Sequence, residues 1–124
     1  MNRLLKLTAT LLALLPTASG LAHAGGVLNL YSSRHYQTDE ALYKNFETQT
    51  GIKINRIEAA EDPLIERMRN EGEKSPADVL ITVDMGRLLK AQQLGLFQPL
   101  DSAVLNAKIP RELRAQDGSW FGFS

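Results

Sequence analysis

The sequence contains no cysteine. That excludes disulfide stapling, thiol chemistry and cysteine-ligated metal sites. It has no block of basic residues, so nucleic acid and anionic membrane surfaces are not indicated as partners. No apolar run is long enough to span a bilayer. There is no G-x-S-x-G elbow and no glycine-rich phosphate loop. Histidine occurs only at His23 and His35. A secreted hydrolase would therefore have to use His35 as its base, with no motif for nucleophile or orienting carboxylate. Repeats and low-complexity tracts are also missing.

What is present starts with a leader. Residues 1–24 read as a secretory signal peptide. Arg3 and Lys6 supply the positive start, "LTATLLALL" the short apolar core, and "AHA" (22–24) the small residues before cleavage. Removing the leader turns a neutral chain into one with 12 basic and 14 acidic side chains, a net charge of −2. The mature part, 25–124, has the length of one domain. A soluble periplasmic or extracellular protein is expected, with no transmembrane segment in the mature chain.

Strand-like and helix-like stretches then alternate. "VLNLY" (27–31) and "IKINRIE" (52–58) read as strands, and "SPADVLITV" (75–83) as a turn into a continuous apolar strand, as expected of a central parallel strand. "TDEALYKNFETQTG" (38–51) reads as a helix capped by Thr38 and stopped by Gly51, with Leu42, Tyr43 and Phe46 on one face. "DPLIERMRNEG" (62–72) reads as a helix with Asp62 as cap and Pro63 at its first position. Leu64, Ile65 and Met68 make its apolar stripe. "DMGRLLKAQQLG" (84–95) reads as a third helix capped by Asp84, with Leu88, Leu89 and Leu94 apolar. The segment after it reads as loop with one short helical turn, and "GSWFGFS" (118–124) as the start of another strand. This order argues an α/β lobe with a mostly parallel sheet and flanking helices. The aromatic run at the end leads us to expect the opening portion of a larger protein.

In open parallel sheets, ligands gather at the carboxyl ends of the strands. Between the first strand and first helix lies "SSRHY". Ser32, Ser33 and Arg34, next to a helix N-terminus, are candidate anion contacts. His35 and Tyr36 are candidate metal ligands. Neutral imidazole binds metals. A phenol, with an ordinary pKa of about 10, loses its proton only to a strongly Lewis-acidic ion, and Fe(III) is such an ion. Zinc more usually recruits cysteine, further histidines or carboxylates. A histidine–tyrosine pair in a loop is more often a packing feature, so the residues alone leave both readings open. Asp78 reads as tying down the third strand, and "EAAED" and "RNEGEK" as solvated faces. Trp120, Phe121 and Phe123 read as core or interlobe packing.

"YSSRHY" and the later "EG-x-K-SPADVLIT", in that order, closely resemble the periplasmic ferric-iron-binding proteins, the solute-binding components of ABC-type iron importers. The likeness covers essentially the whole mature segment. It implies a two-lobed binding protein of the periplasmic-binding-protein fold with Fe(III) as transported ligand in the interlobe cleft. It also implies an inner-membrane ABC permease as partner, a monomer at full length, and no enzymatic activity. His35 and Tyr36 match the first-lobe ligands, and several tyrosines of a second lobe would complete the site. Some members place an acidic ligand where Val83 stands here, so that ligand is absent. The expectation is that the second lobe is missing and that this chain alone holds iron weakly or not at all. The alternative is a carrier of the same fold for an anion or small organic solute.

Overall fold

The computed structural model describes residues 25–123. The leader expected at 1–24 lies outside the described residues.

Three parallel strands form one sheet in the order β2-β1-β3. They are β1 (Val27–Ser32), β2 (Lys53–Glu58) and β3 (Val79–Ile81). The order places β1 in the centre. This corrects one expectation: the "SPADVLITV" run is not the central strand but contributes only three residues beside β1, and Val79 is exposed. β1 holds the centre because Leu30, Tyr31 and Ser32 are all buried there. Register fixes what meets at the carboxyl end: Ser32 pairs with Glu58 of β2 and with Ile81 of β3.

Helix α1 (Asp39–Thr50) follows β1. Its start differs from the reading above. Thr38 is already helical and its side chain makes no cap bond. The first turn instead closes through backbone, Asp39 N–H to the Tyr36 carbonyl and Glu40 N–H to the Gln37 carbonyl. Gly51 ends the helix as expected, at φ 70°, a left-handed conformation that glycine adopts without a Cβ penalty. No residue of α1 is buried, and Leu42 is exposed. The apolar face read from its spacing is therefore only half covered, by β2.

Helix α2 (Glu61–Glu71) begins earlier than expected, after an extended Ala60, so Asp62 and Pro63 sit inside the first turn. Asp62 is not the cap; it meets Arg87 and Lys90 of helix α3 (Met85–Gln93). The stripe Leu64, Ile65 and Met68 is buried as expected. Leu64 and Met68 pack with Tyr31 into the core, flanked by Ile57, Leu80 and Leu96. In α3 the buried residue is Ala91, while Leu89, and Leu94 just past the helix end, are exposed. A short helix α4 (Ala103–Lys108) is capped by Ser102, whose hydroxyl accepts from Leu105 N–H. The final aromatic run makes no strand among the described residues, only a single antiparallel bridge between Arg114 and Phe121. Trp120 packs into this part, and its indole N–H donates to Gln92.

Charged groups around the core set a pH window. The Tyr31 hydroxyl donates to Glu71 at 2.9 Å. Burial pushes the Tyr31 phenol above its ordinary value, and the Glu71 carboxylate adds to that. Arg67, then Ser75, hold the Glu71 carboxyl below its usual range, and Arg34 does the same for Asp39. Depressed carboxyls stabilise above their unfolded values and lose that contribution as pH falls through the folded ones. A raised phenol stabilises below its unfolded value and loses it as pH rises through the folded one. Thermal melts across pH are expected to show a plateau, with a falling limb below about pH 4 and another above about pH 10. Tyr31→Phe should remove the alkaline limb and leave the acid limb.

Candidate metal centre

The loop from Ser33 to Thr38 leaves the carboxyl end of β1, as parallel-sheet geometry requires of a ligand loop. Its base is tightly held. Ser33 N–H donates to the Ile81 carbonyl at 3.0 Å, and the Ser33 hydroxyl donates to Glu61 at 3.3 Å. Ser32 is buried, and its hydroxyl oxygen accepts from Arg34 N–H at 3.1 Å. Arg34 is clamped by Asp39, with its Nε donating to Oδ2 at 2.9 Å and a terminal nitrogen donating to Oδ1 at 3.2 Å. The Asp39 bond holds the guanidinium charged, above its ordinary range, against the opposing effect of burial. Ser32, Ser33 and Arg34 thus all have partners within the protein.

The two residues at the tip point outward. The His35 side chain is 56% exposed and Tyr36 is 54% exposed. Arg34 sits over the Tyr36 ring, 4.8 Å from its centroid, which limits where the phenol can go. His35 and Tyr36 line a shallow cavity of about 160 Å³ together with Arg34, Glu40, Arg56 and Glu58. A larger cavity, about 350 Å³, is lined by Arg111, Arg114, Ala115 and Gln116 and contains none of the candidate ligands. Among the described residues, no three histidine, aspartate or glutamate side chains converge as a metal site.

Two carboxylates at this end escaped the sequence reading, which treated "EAAED" as a solvated face. Glu61 is partly buried and accepts from Val83 N–H at 2.9 Å and from Ser33, so it ties α2, the segment after β3 and the loop together. Glu58 ends β2 and approaches His35 Nδ1 at 3.7 Å. The parallel pairing of β1 with β2 was the signal that could have located Glu58. Other expectations hold. Asp78 ties down the start of β3 by accepting from Asn29 N–H at 2.8 Å. Asp84 caps α3, its Oδ1 accepting from Gly86 and Arg87 N–H. Asp84→Ala is expected to cost about 1 kcal/mol of stability, read by thermal or urea denaturation.

The fold defines a class: an α/β lobe of the periplasmic-binding-protein type, with the His35–Tyr36 loop at the carboxyl end of its central strand. Comparison with known proteins narrows this. No family model matches the chain. Iron uptake protein A1 of Synechocystis is 55% identical over 97 residues, covering 78% of this chain and 27% of that protein. A Trichodesmium protein solved with iron and citrate superposes with a TM-score of 0.77 at 57% identity, over 80% of this chain and 31% of that one. The ferric-binding protein of Campylobacter jejuni superposes at 0.74 with 47% identity, over 76% of this chain and 30% of that one. The chain therefore spans under a third of the relative and of both solved proteins. Over that span, in sequence and in fold, it is similar to periplasmic ferric-iron-binding proteins.

Proposed function

We propose that this lobe supplies His35 and Tyr36 to a ferric ion carried in the periplasm and handed to an inner-membrane ABC permease. The observation that carries the reading is the placement of an imidazole and a phenol side by side, exposed, on a loop whose base is held by the internally bonded side chains of Ser32, Ser33 and Arg34. Phenolate oxygen suits a hard trivalent ion. Ser32, Ser33 and Arg34 hold the loop in shape and seat Tyr36 rather than binding the cargo. Two side chains leave most of the coordination sphere to groups outside this chain, so the carrier is a two-lobed monomer with residues 25–124 as its first part and 1–24 as its cleaved leader. The reading assigns binding and delivery, and no catalysis.

Titration with ferric citrate tests it, using the lobe joined to the remaining length that its relatives have. A visible tyrosinate-to-iron band, with iron retained through dialysis, is the expected result. No band and no retained iron would overturn the ferric reading and move the weight to an anion or small organic solute.

A further inference from the structure

Glu58 stands out as the carboxylate that faces His35. It lies at the last position of β2, in register with Ser32 at the end of β1. Its Oε2 is 3.7 Å from His35 Nδ1, and its Oε1 is 3.4 Å from a terminal nitrogen of Arg56. Arg56 is itself anchored. It donates to both carboxylate oxygens of Glu40 on α1, at 2.6 and 3.2 Å, and lies 5.0 Å from the centroid of the Tyr43 ring. These contacts hold the Glu40 carboxylate, the Arg56 guanidinium and the Glu58 carboxylate in a row that ends at the imidazole. All four residues line the same shallow cavity.

A neutral imidazole has one N–H and one bare nitrogen, and only the bare one binds a metal. Which nitrogen is bare depends on what the other one meets. A carboxylate facing Nδ1 favours a proton there and leaves Nε2 bare. Glu58 is the carboxylate that faces Nδ1.

We infer that Glu58 is a positioning residue for His35. It holds the Nδ1–H tautomer and the ring orientation, so that Nε2 is presented outward as the ligand. The inference rests on the ferric reading for what Nε2 binds, but the tautomer itself does not depend on iron. Arg56 holds Glu58 in place, and α1 contributes through Glu40. The device costs little order, since Glu58 and Arg56 come from one strand and Glu40 from the first turn of a neighbouring helix.

Two measurements test this and separate it from the ferric reading. The first is the His35 tautomer, from long-range nitrogen–proton NMR of the labelled chain at about pH 8.5, where imidazole is ordinarily neutral. His35→Gln assigns the signals against His23. The Nδ1–H form is expected to dominate. It should fall to a minority in Glu58→Ala and be kept largely in Glu58→Gln, which retains an oxygen acceptor. A wild-type imidazole mainly in the Nε2–H form would overturn the proposal. So would an unchanged ratio in Glu58→Ala.

The second measurement is ferric affinity in the two-lobed protein. Glu58→Ala should weaken it about 10- to 100-fold, as loss of a partner to a ligating histidine does, with Glu58→Gln recovering most of the loss. A wild-type protein that holds no iron while its tautomer still answers to Glu58 would sink the ferric reading and leave the positioning role standing. Tight iron binding unchanged in Glu58→Ala, with an unchanged tautomer, would do the reverse.

Discussion

Tyr36→Phe, in the two-lobed protein, is expected to lose this lobe's share of the tyrosinate-to-iron absorption and to weaken ferric retention more than about 100-fold. The bound is set by the 10- to 100-fold typical of losing a group that only supports a ligand; Tyr36 is proposed as a ligand itself. The change removes one oxygen and, with it, a negative charge that a trivalent ion would otherwise meet directly. It should leave the fold alone. The ring is more than half exposed and its described neighbour is the Arg34 guanidinium, which packs on phenylalanine as well. The chain supplies its own controls, since it has only three tyrosines. Tyr31 is fully buried with its hydroxyl given to Glu71, and Tyr43 lies under Arg56. Tyr31→Phe should therefore leave iron binding intact. Unchanged affinity in Tyr36→Phe would point instead to an anion or small organic cargo, which has no need of the phenol.

Leu64→Ala should be the most damaging of the core changes considered, costing about 2–5 kcal/mol. Leu64 is 1% exposed and packs with Tyr31 and Met68, joining α2 to the central strand. Truncation removes the buried carbons and leaves a cavity that a close-packed interior closes only in part. Domains of this size have about 5–15 kcal/mol in hand at most, so the variant should melt far earlier and lose a large part of its urea midpoint. Leu42→Ala is the matched control. That leucine is 63% exposed on α1, so its change should stay within about 0.5 kcal/mol. A loss below about 1 kcal/mol in Leu64→Ala would mean that α2 does not seat the core.

The two leucines show where reading from sequence succeeds and where it stops. Both sit on helical faces with apolar neighbours at the right spacing. Spacing says which residues share a face, but not whether another element covers it. On α2 the face meets β1 and α3; on α1 it is largely open. The same limit explains the missed helix start. Asp62 followed by Pro63 carries a strong start signal, yet the helix begins one residue earlier, at Glu61, whose carboxylate accepts from Ser33 and Val83 across the sheet end. Asp62 is left to meet Arg87 and Lys90. Asp84 and Gly51 were legible because a cap and a left-handed stop are settled within a turn of the chain.

The sequence by itself determined the alternation of strands and helices, the buried stripe of α2, the end of α1, the Asp84 cap, and the loop that presents His35 and Tyr36. Each follows from side-chain period or backbone preference over a few neighbouring residues. Only the tertiary structure decided that β1 is central, that Ser32, Ser33 and Arg34 make hydrogen bonds within the protein, and that Glu58 stands beside His35. Those facts depend on which strands pair and in what register, and pairing is settled by burial summed over residues far apart in the chain, which no local pattern records.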